Sequence, residues 1–219
     1  MCDYSGNRYS GLIKDDVANG EGLGAVFFVQ GCSHNNTTTD THHCKNCHNP
    51  QTWDYNGGKP LTVEVINSIW DYFDNTPFAT RLTITGGEPF DLNYPLTVSI
   101  VREFKKRYPD KKVWAYTGFN MGRITFTNEA INRFYWVLAP PWYKYKDSKC
   151  SPECKFADIA KIMRPFFKDD LIYFDIIVDG DYQHDKRDLT LPFRGSSNQR
   201  LIDIKKTIEN GEITLYEVK

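Results

Sequence analysis

Four short runs of β-branched and aromatic residues set the frame of this chain, because each one stops at a glycine. They are Ala25–Gln30 before Gly31-Cys32, Arg81–Thr85 before Gly86-Gly87, Lys112–Tyr116 before Thr117-Gly118, and Tyr173–Val178 before Asp179-Gly180. Runs this short and this apolar read as buried strands. Helical patterns stand between them. Thr62 suits an N-cap, with Glu64 in the first turn and Val65, Ile66, Ile69, Trp70 and Phe73 on one apolar face. That helix should stop near Asn75-Thr76-Pro77, and Leu96–Tyr108 reads as a second one. Strands alternating with helices imply βαβ units around a largely parallel sheet, so the expected fold class is α/β. Ligands in such sheets gather at the carboxyl ends of the strands. The four glycine-marked ends should therefore share one rim.

The remaining chain is read more coarsely. Residues 33–60 form a long polar loop, and a loop of that length inside a compact domain is usually functional. Glu129–Phe134 reads as a short helix before strand-like Tyr135–Leu138. Residues 139–170 look like an insertion, with Lys155–Phe167 helical inside it. Leu201–Ile204 is the expected last strand, followed by a hairpin turning at Asn210-Gly211. At 219 residues the chain is expected to form a single domain over 1–219 carrying that insertion. Lys+Arg total 27 against Asp+Glu 28, so no basic excess points to nucleic acid or an anionic membrane surface. The first twenty residues are polar and lack a signal-like apolar core, and the longest apolar stretches are too short to span a bilayer. A cytoplasmic location is expected.

Six cysteines in a reducing compartment point to metal or redox chemistry rather than a disulfide framework. Cys32, Cys44 and Cys47 fall within one loop, with eleven residues between the first two and two between the last two. Three thiolates admit several readings. A zinc site would need a fourth ligand, for which His34, His42, His43 and His48 are at hand. Three cysteines alone suit an iron–sulfur cluster that leaves one iron open. Cys44-Lys45-Asn46-Cys47-His48 also matches the c-type haem attachment pattern, but haem attachment follows export, for which the chain shows no signal. Cys150 and Cys154 could hold an accessory metal, although an ordinary surface loop is the commoner outcome; Cys2 is incidental and His184 a solvated loop residue. Lys144, Lys146 and Lys149 read as a solvated charged face or a partner patch.

Thr85-Gly86-Gly87-Glu88-Pro89 narrows these readings. Beside a three-cysteine cluster it resembles the motif by which radical S-adenosylmethionine enzymes hold the methionyl amino group. Phe28–His34, Cys44–Trp53, Tyr116-Thr117-Gly118, Val178-Asp179-Gly180 and Phe193–Asp203 further resemble the anaerobic ribonucleotide reductase activating proteins. The resemblance spans roughly residues 10–120 and 172–206 by motif matching. Two departures stand out. Eleven residues separate the first two cysteines where the family has three, and His48 stands where the family has a larger aromatic. The longer loop costs only about 1 kcal/mol in closure entropy, against about 10 kcal/mol or more for metal–thiolate bonding.

The resemblance implies a partial (β/α) barrel with the cluster at the carboxyl rim of the strands. It implies that Cys32, Cys44 and Cys47 ligate a 4Fe-4S cluster whose fourth iron takes S-adenosyl-L-methionine. Gly86, Gly87 and Glu88 would bind the methionyl end; the Asn46-Cys47-His48 turn would meet the cofactor, with Asn46 and His48 around the adenine; Thr117 and Asp179 would add contacts from matching strand ends. Reductive cleavage of the cofactor would generate a glycyl radical on the catalytic subunit of an anaerobic ribonucleotide reductase. A low-potential donor such as flavodoxin or ferredoxin would supply the electron. Arg194, Ser196, Ser197, Asn198, Gln199 and Arg200 would either dock that partner or shape the fold, two readings of equal weight here. The alternatives are another radical S-adenosylmethionine enzyme, such as a carboxy-deazaguanine synthase, or a non-catalytic zinc-binding adaptor.

Overall fold

A computed structural model of the chain describes residues 4, 6–33, 44–128, 131–139, 164–166 and 168–218. Its principal sheet has seven strands: β1 (Arg8–Asp16), β2 (Gly24–Val29), β3 (Lys59–Pro60), β4 (Arg81–Gly86), β5 (Lys112–Tyr116), β9 (Ile176–Asp179) and β10 (Arg200–Asp203). They run in the order β10-β9-β5-β4-β2-β1-β3. The central four are parallel, in register Val26 with Thr83, Ile84 with Ala115, and Ala115 with Ile177. Antiparallel β1 and β10 flank them, and β3 pairs antiparallel with β1. The sheet is open, a mixed α/β architecture.

The central strands are buried on both faces, and their alternate side chains supply two cores. Phe27, Ile84, Val113, Ala115 and Ile177 face one core, against α1 (Val63–Asn75) and α2 (Tyr94–Arg107), which contribute Ile66, Ile69, Phe73, Ile100 and Phe104. Thr62 caps α1 by accepting from the Val65 amide at 3.5 Å, and Lys105, Lys106 and Arg107 favour the carboxyl end of α2. Trp114, Ile176, Val178 and Leu201 face the other way, with Tyr116, Phe193 and Tyr216 packed on them.

A buried ion pair also closes this second face. The Arg81 guanidinium, wholly buried, donates to Asp16 Oδ2 at 2.7 Å, to the Asp16 carbonyl at 2.8 Å and to the Asn19 carbonyl at 3.0 Å. The β1–β2 loop thus wraps across the start of β4. Gly20 sits there at φ +136°, where a Cβ would meet Arg81 and Trp114 at 2.6 and 2.8 Å.

Several expectations need correction. Ile131–Phe134 is strand, part of β7 (Ile131–Ala139), which pairs antiparallel with β6 (Asn120–Asn128) through nine registered residue pairs. The β-formers on either side of Glu129 and Ala130 favour the paired strands, and those two residues lie outside the described residues. Of the expected helix Lys155–Phe167, only β8 (Arg164–Phe166) is described, and it is strand paired with β7; the rest lies outside the described residues, as do Cys2, Cys150, Cys154, Lys144, Lys146 and Lys149. A short helix, α3 (Lys168–Leu171), follows. Asn210-Gly211 ends a helix, α4 (Ile204–Asn210), rather than turning a hairpin. Gly211 takes φ +72° as its cap, and both uses of Asn-Gly exploit the same left-handed conformation. The chain does return antiparallel, with Leu215 bridging Ile202.

Candidate functional site

A pocket of about 810 Å³ opens at the carboxyl ends of β2, β4, β5 and β9. Cys32, Cys44, Asn46, Cys47, His48, Gly86, Gly87, Glu88 and Thr117 line it. Tyr182, Leu189, Leu191, Phe193, Arg194 and Gly195 add to the lining, as do Ala18 and Asn19 of the β1–β2 loop. The size suits a small-molecule cofactor.

The glycine pair is explained first by packing. A Cβ on Gly87 would lie 2.0 Å from the Gly31 carbonyl oxygen, and one on Gly86, at φ +104°, 2.8 Å from that of Val29. Only glycine lets the end of β4 approach the end of β2 this closely. The approach is then sewn by hydrogen bonds: the Gly87 amide donates to Val29 O at 3.0 Å and the Glu88 amide to Gly31 O at 2.8 Å. The Glu88 carboxylate braces the next strand end. It accepts from Thr117 Oγ1 at 2.7 Å, the Gly118 amide at 2.9 Å and the Phe90 amide at 3.0 Å. Strand ends, cysteine loop and pocket rim are one hydrogen-bonded unit.

The first cysteine is clamped from two sides. Gly31 and Cys32 donate their amides to the carbonyls of Thr52 and Trp53, at 2.8 and 3.1 Å. Ser33 donates its amide to Asp91 Oδ2 at 2.9 Å, and the Tyr55 hydroxyl donates to the same oxygen. Asn93 Nδ2 donates to Gly31 O and Glu88 O at 3.2 and 3.0 Å. The second and third cysteines sit in a tight turn. The Cys47 amide donates to Cys44 O at 3.1 Å, and Asn46 takes φ +60° to allow it. The Asn49 amide donates to Cys47 Sγ at 3.4 Å, the kind of backbone support a ligating thiolate takes.

Burial pushes the Cys44 thiol up to about 12, against a backbone hydrogen bond from Tyr182 that pulls the other way. Such a thiol is a poor nucleophile at neutral pH, and a metal must displace its proton. Among the described residues, no three Cys, His, Asp or Glu side chains converge on a single ion. The three thiols share the lining of one pocket. His34, His42 and His43 lie outside the described residues.

Asp179 departs from expectation. It is wholly buried and does not line the pocket; its carboxylate accepts from Arg200 Nε at 2.9 Å and from the Met121 amide at 2.7 Å. Gly180 lines the pocket in its place. The 194–200 segment divides by residue. Gln199 Oε1 accepts from the Gly195 and Ser196 amides at 2.9 and 3.2 Å, while its Nε2 donates to Gly180 O at 3.0 Å. Asn198 Nδ2 donates to Asp181 O at 2.8 Å, and Arg200 Nη2 to Met121 O at 2.9 Å. Ser196 is buried, Ser197 is exposed, and Arg194, Gly195 and Gln199 line the pocket.

Sequence reasoning missed Tyr182, Tyr55, Asp91 and Asn93. Tyr182 lays its ring 4.8 Å from that of His48, centroid to centroid, and its hydroxyl meets His184 Nδ1 at 3.1 Å. Asp91 and Asn93 carry a legible signal, two short polar residues just ahead of a helix. Tyr55 carries none, since its partner is 36 residues away.

Comparison with known proteins bears on this geometry. The sequence matches the 4Fe-4S single cluster domain family over residues 18–151 and 153–202. The chain belongs to that family. It is also similar to proteins named anaerobic ribonucleoside-triphosphate reductase-activating protein. That of Pasteurella multocida (strain Pm70) is 27% identical over 88% of this chain and 94% of its own. That of Enterobacteria phage T4 is 27% identical over 89% of this chain and 92% of its own. That of Escherichia coli (strain K12) is 25% identical over 88% of this chain and 96% of its own. Membership of the 4Fe-4S single cluster domain family supports an iron–sulfur cluster here, and among the described residues of the matched span Cys32, Cys44 and Cys47 are the cysteines gathered on the pocket. No helix among the described residues is long and apolar enough to cross a membrane.

Proposed function

We propose that this chain activates an anaerobic ribonucleoside-triphosphate reductase, holding a 4Fe-4S cluster on Cys32, Cys44 and Cys47 and binding S-adenosyl-L-methionine beside it. The observation that carries this reading is the convergence of three cysteines and the Gly86-Gly87-Glu88 turn on one pocket. When bound, cluster and cofactor supply the reductive cleavage that places a radical on a glycine of the reductase catalytic subunit. The chain's own residues orient and shield. The backbone of Gly86 to Glu88, fixed by its bonds to β2, receives the methionyl end. His48 and Tyr182, two rings packed against each other on the pocket lining, receive the adenine, with Asn46 beside them. Thr117 acts through Glu88. A low-potential flavodoxin or ferredoxin in the cytoplasm is the electron source in this reading.

The four parallel strands ending at the pocket, with one face closed by Arg81, Trp114 and Tyr216, support a partial (β/α) barrel of the radical S-adenosylmethionine type. The chain is read as one domain over 1–219 with an insertion at 139–170. The test is anaerobic reconstitution with iron and sulfide, followed by electron paramagnetic resonance with and without S-adenosylmethionine. The expected result is a reduced-cluster signal that changes on adding the cofactor, and a glycyl radical when the reductase is present. Bound zinc without iron or sulfide would sink the reading.

A further inference from the structure

Asp91 is nearly sealed from solvent, at 1% exposure, in the turn that leads from β4 into α2. Its Oδ2 takes the Ser33 amide and the Tyr55 hydroxyl, and its Oδ1 takes the Asn93 amide at 3.2 Å. All of these partners are donors, which suits the carboxylate and not the acid. Among the described residues no Lys, Arg or His pairs with it. Burial and the nearby Glu88 hold its pKa above the ordinary carboxylate value, with the three donors pulling against them. A buried anion lacking a cation is costly, and a neutral amide side chain could have accepted from the Asn93 amide as well. Its contact with Ser33, the residue after Cys32, shows where the charge acts. The Tyr55 hydroxyl registers the same crowding, raised by burial and then by Asp91, Cys32 and Glu88.

We propose that Asp91 is a positioning residue for the cluster: it pins the backbone behind Cys32 from the β4–α2 turn and sets a fixed negative charge beside the cysteine loop. This rests on Cys32, Cys44 and Cys47 being the cluster ligands. Cys32 is then placed by residues far away in sequence, so the long stretch between it and Cys44 is not needed to hold it. The fixed charge opposes adding an electron to the cluster and keeps its potential low.

The experiment uses the full chain, reconstituted anaerobically with iron and sulfide, as wild type, Asp91→Asn and Tyr55→Phe. Iron and sulfide per chain, the rate of iron loss to a chelator, and a redox titration followed by electron paramagnetic resonance are measured. Asp91→Asn should lose iron roughly tenfold faster. It should also be reduced more readily, with the reduced-to-oxidised ratio at a fixed potential rising roughly tenfold, the effect of one charge over about 10 Å at an effective dielectric of 20. Tyr55→Phe keeps the charge, so it should lose iron faster without being easier to reduce. A wild-type release rate in either variant, or an Asp91→Asn potential no higher than wild type, overturns the proposal. If Asp91→Asn does not fold, the Tyr55→Phe rate decides alone. A wild-type chain that takes up no iron and sulfide removes the cluster reading and this proposal together; a loaded wild type with unaltered variants removes only the role of Asp91.

Discussion

Gly87 illustrates how far a single residue could be read. A glycine pair at a strand end signals close approach, and the natural candidate from sequence is a ligand. The structure shows that the first thing Gly87 approaches is the Gly31 carbonyl, 2.0 Å from where a Cβ would stand. The close approach was legible while its partner was not, since β2 and β4 meet only in the fold. Gly87→Ala should therefore cost about 2–3 kcal/mol, because the atom in the way is backbone and cannot rotate aside. Urea unfolding of the variant checks the cost, and iron retention should fall with it because Gly31 adjoins Cys32. An unchanged midpoint would show that the two strand ends have room to spare. Tyr55 was illegible for the same reason: its local setting is ordinary, and only the packed loop joins it to Asp91.

Elements were legible where local signals agreed. Helix α1 combines a capping threonine with an apolar face, α2 carries an apolar face, and the central strands combine β-formers with a terminal glycine. β1 was missed because Arg8–Asp16 is a flanking strand of mixed polarity, stabilised by pairing with β2 and not by its own composition. Its far end nevertheless anchors the sheet through Asp16. Burial works against the Asp16 carboxylate, but the Asn19 amide and the Arg81 guanidinium outweigh it and hold the pKa below its ordinary value of 3.8. A carboxyl depressed in the folded state contributes stability above its unfolded pKa and loses it as pH falls through the folded one. Stability should therefore drop below about pH 4, and Asp16→Asn should flatten that part of the profile, as measured by denaturant unfolding from pH 6 to 2. The cysteine loop makes a second prediction at this scale. With residues 31–33 clamped by Thr52, Trp53 and Asp91, excising about eight residues between His34 and His43 should leave iron content near wild type. Loss of the cluster on excision would mean that the excised stretch shapes the site itself.

For the molecule as a whole, the rim was foreseeable because a parallel sheet sends every strand end to the same side, and the residues that end these strands are chemically unusual. How the chain would meet a partner was less legible, because hydrogen-bonding side chains serve docking and folding equally well. Residues 194–200 now separate these uses. Arg200 bonds Asp179 and Met121 O, tying β9, β10 and the start of β6 together behind the pocket. Removing it as Arg200→Ala leaves the Asp179 carboxylate buried without its cation. Breaking such a pair costs about 3–5 kcal/mol when both groups are buried; the Arg200 side chain is 37% exposed, so water can offset part of the loss and about 2–3 kcal/mol is expected. Melting temperature, iron content, uncoupled cofactor cleavage and glycyl-radical formation should then fall together. Ser197→Ala, at the exposed residue of the segment, should leave the first three unchanged and lower only radical formation if the reductase rests there. An Arg200→Ala variant that keeps its cluster and its cleavage rate but no longer forms the glycyl radical would place Arg200 in the docking surface and remove it from the fold's supports.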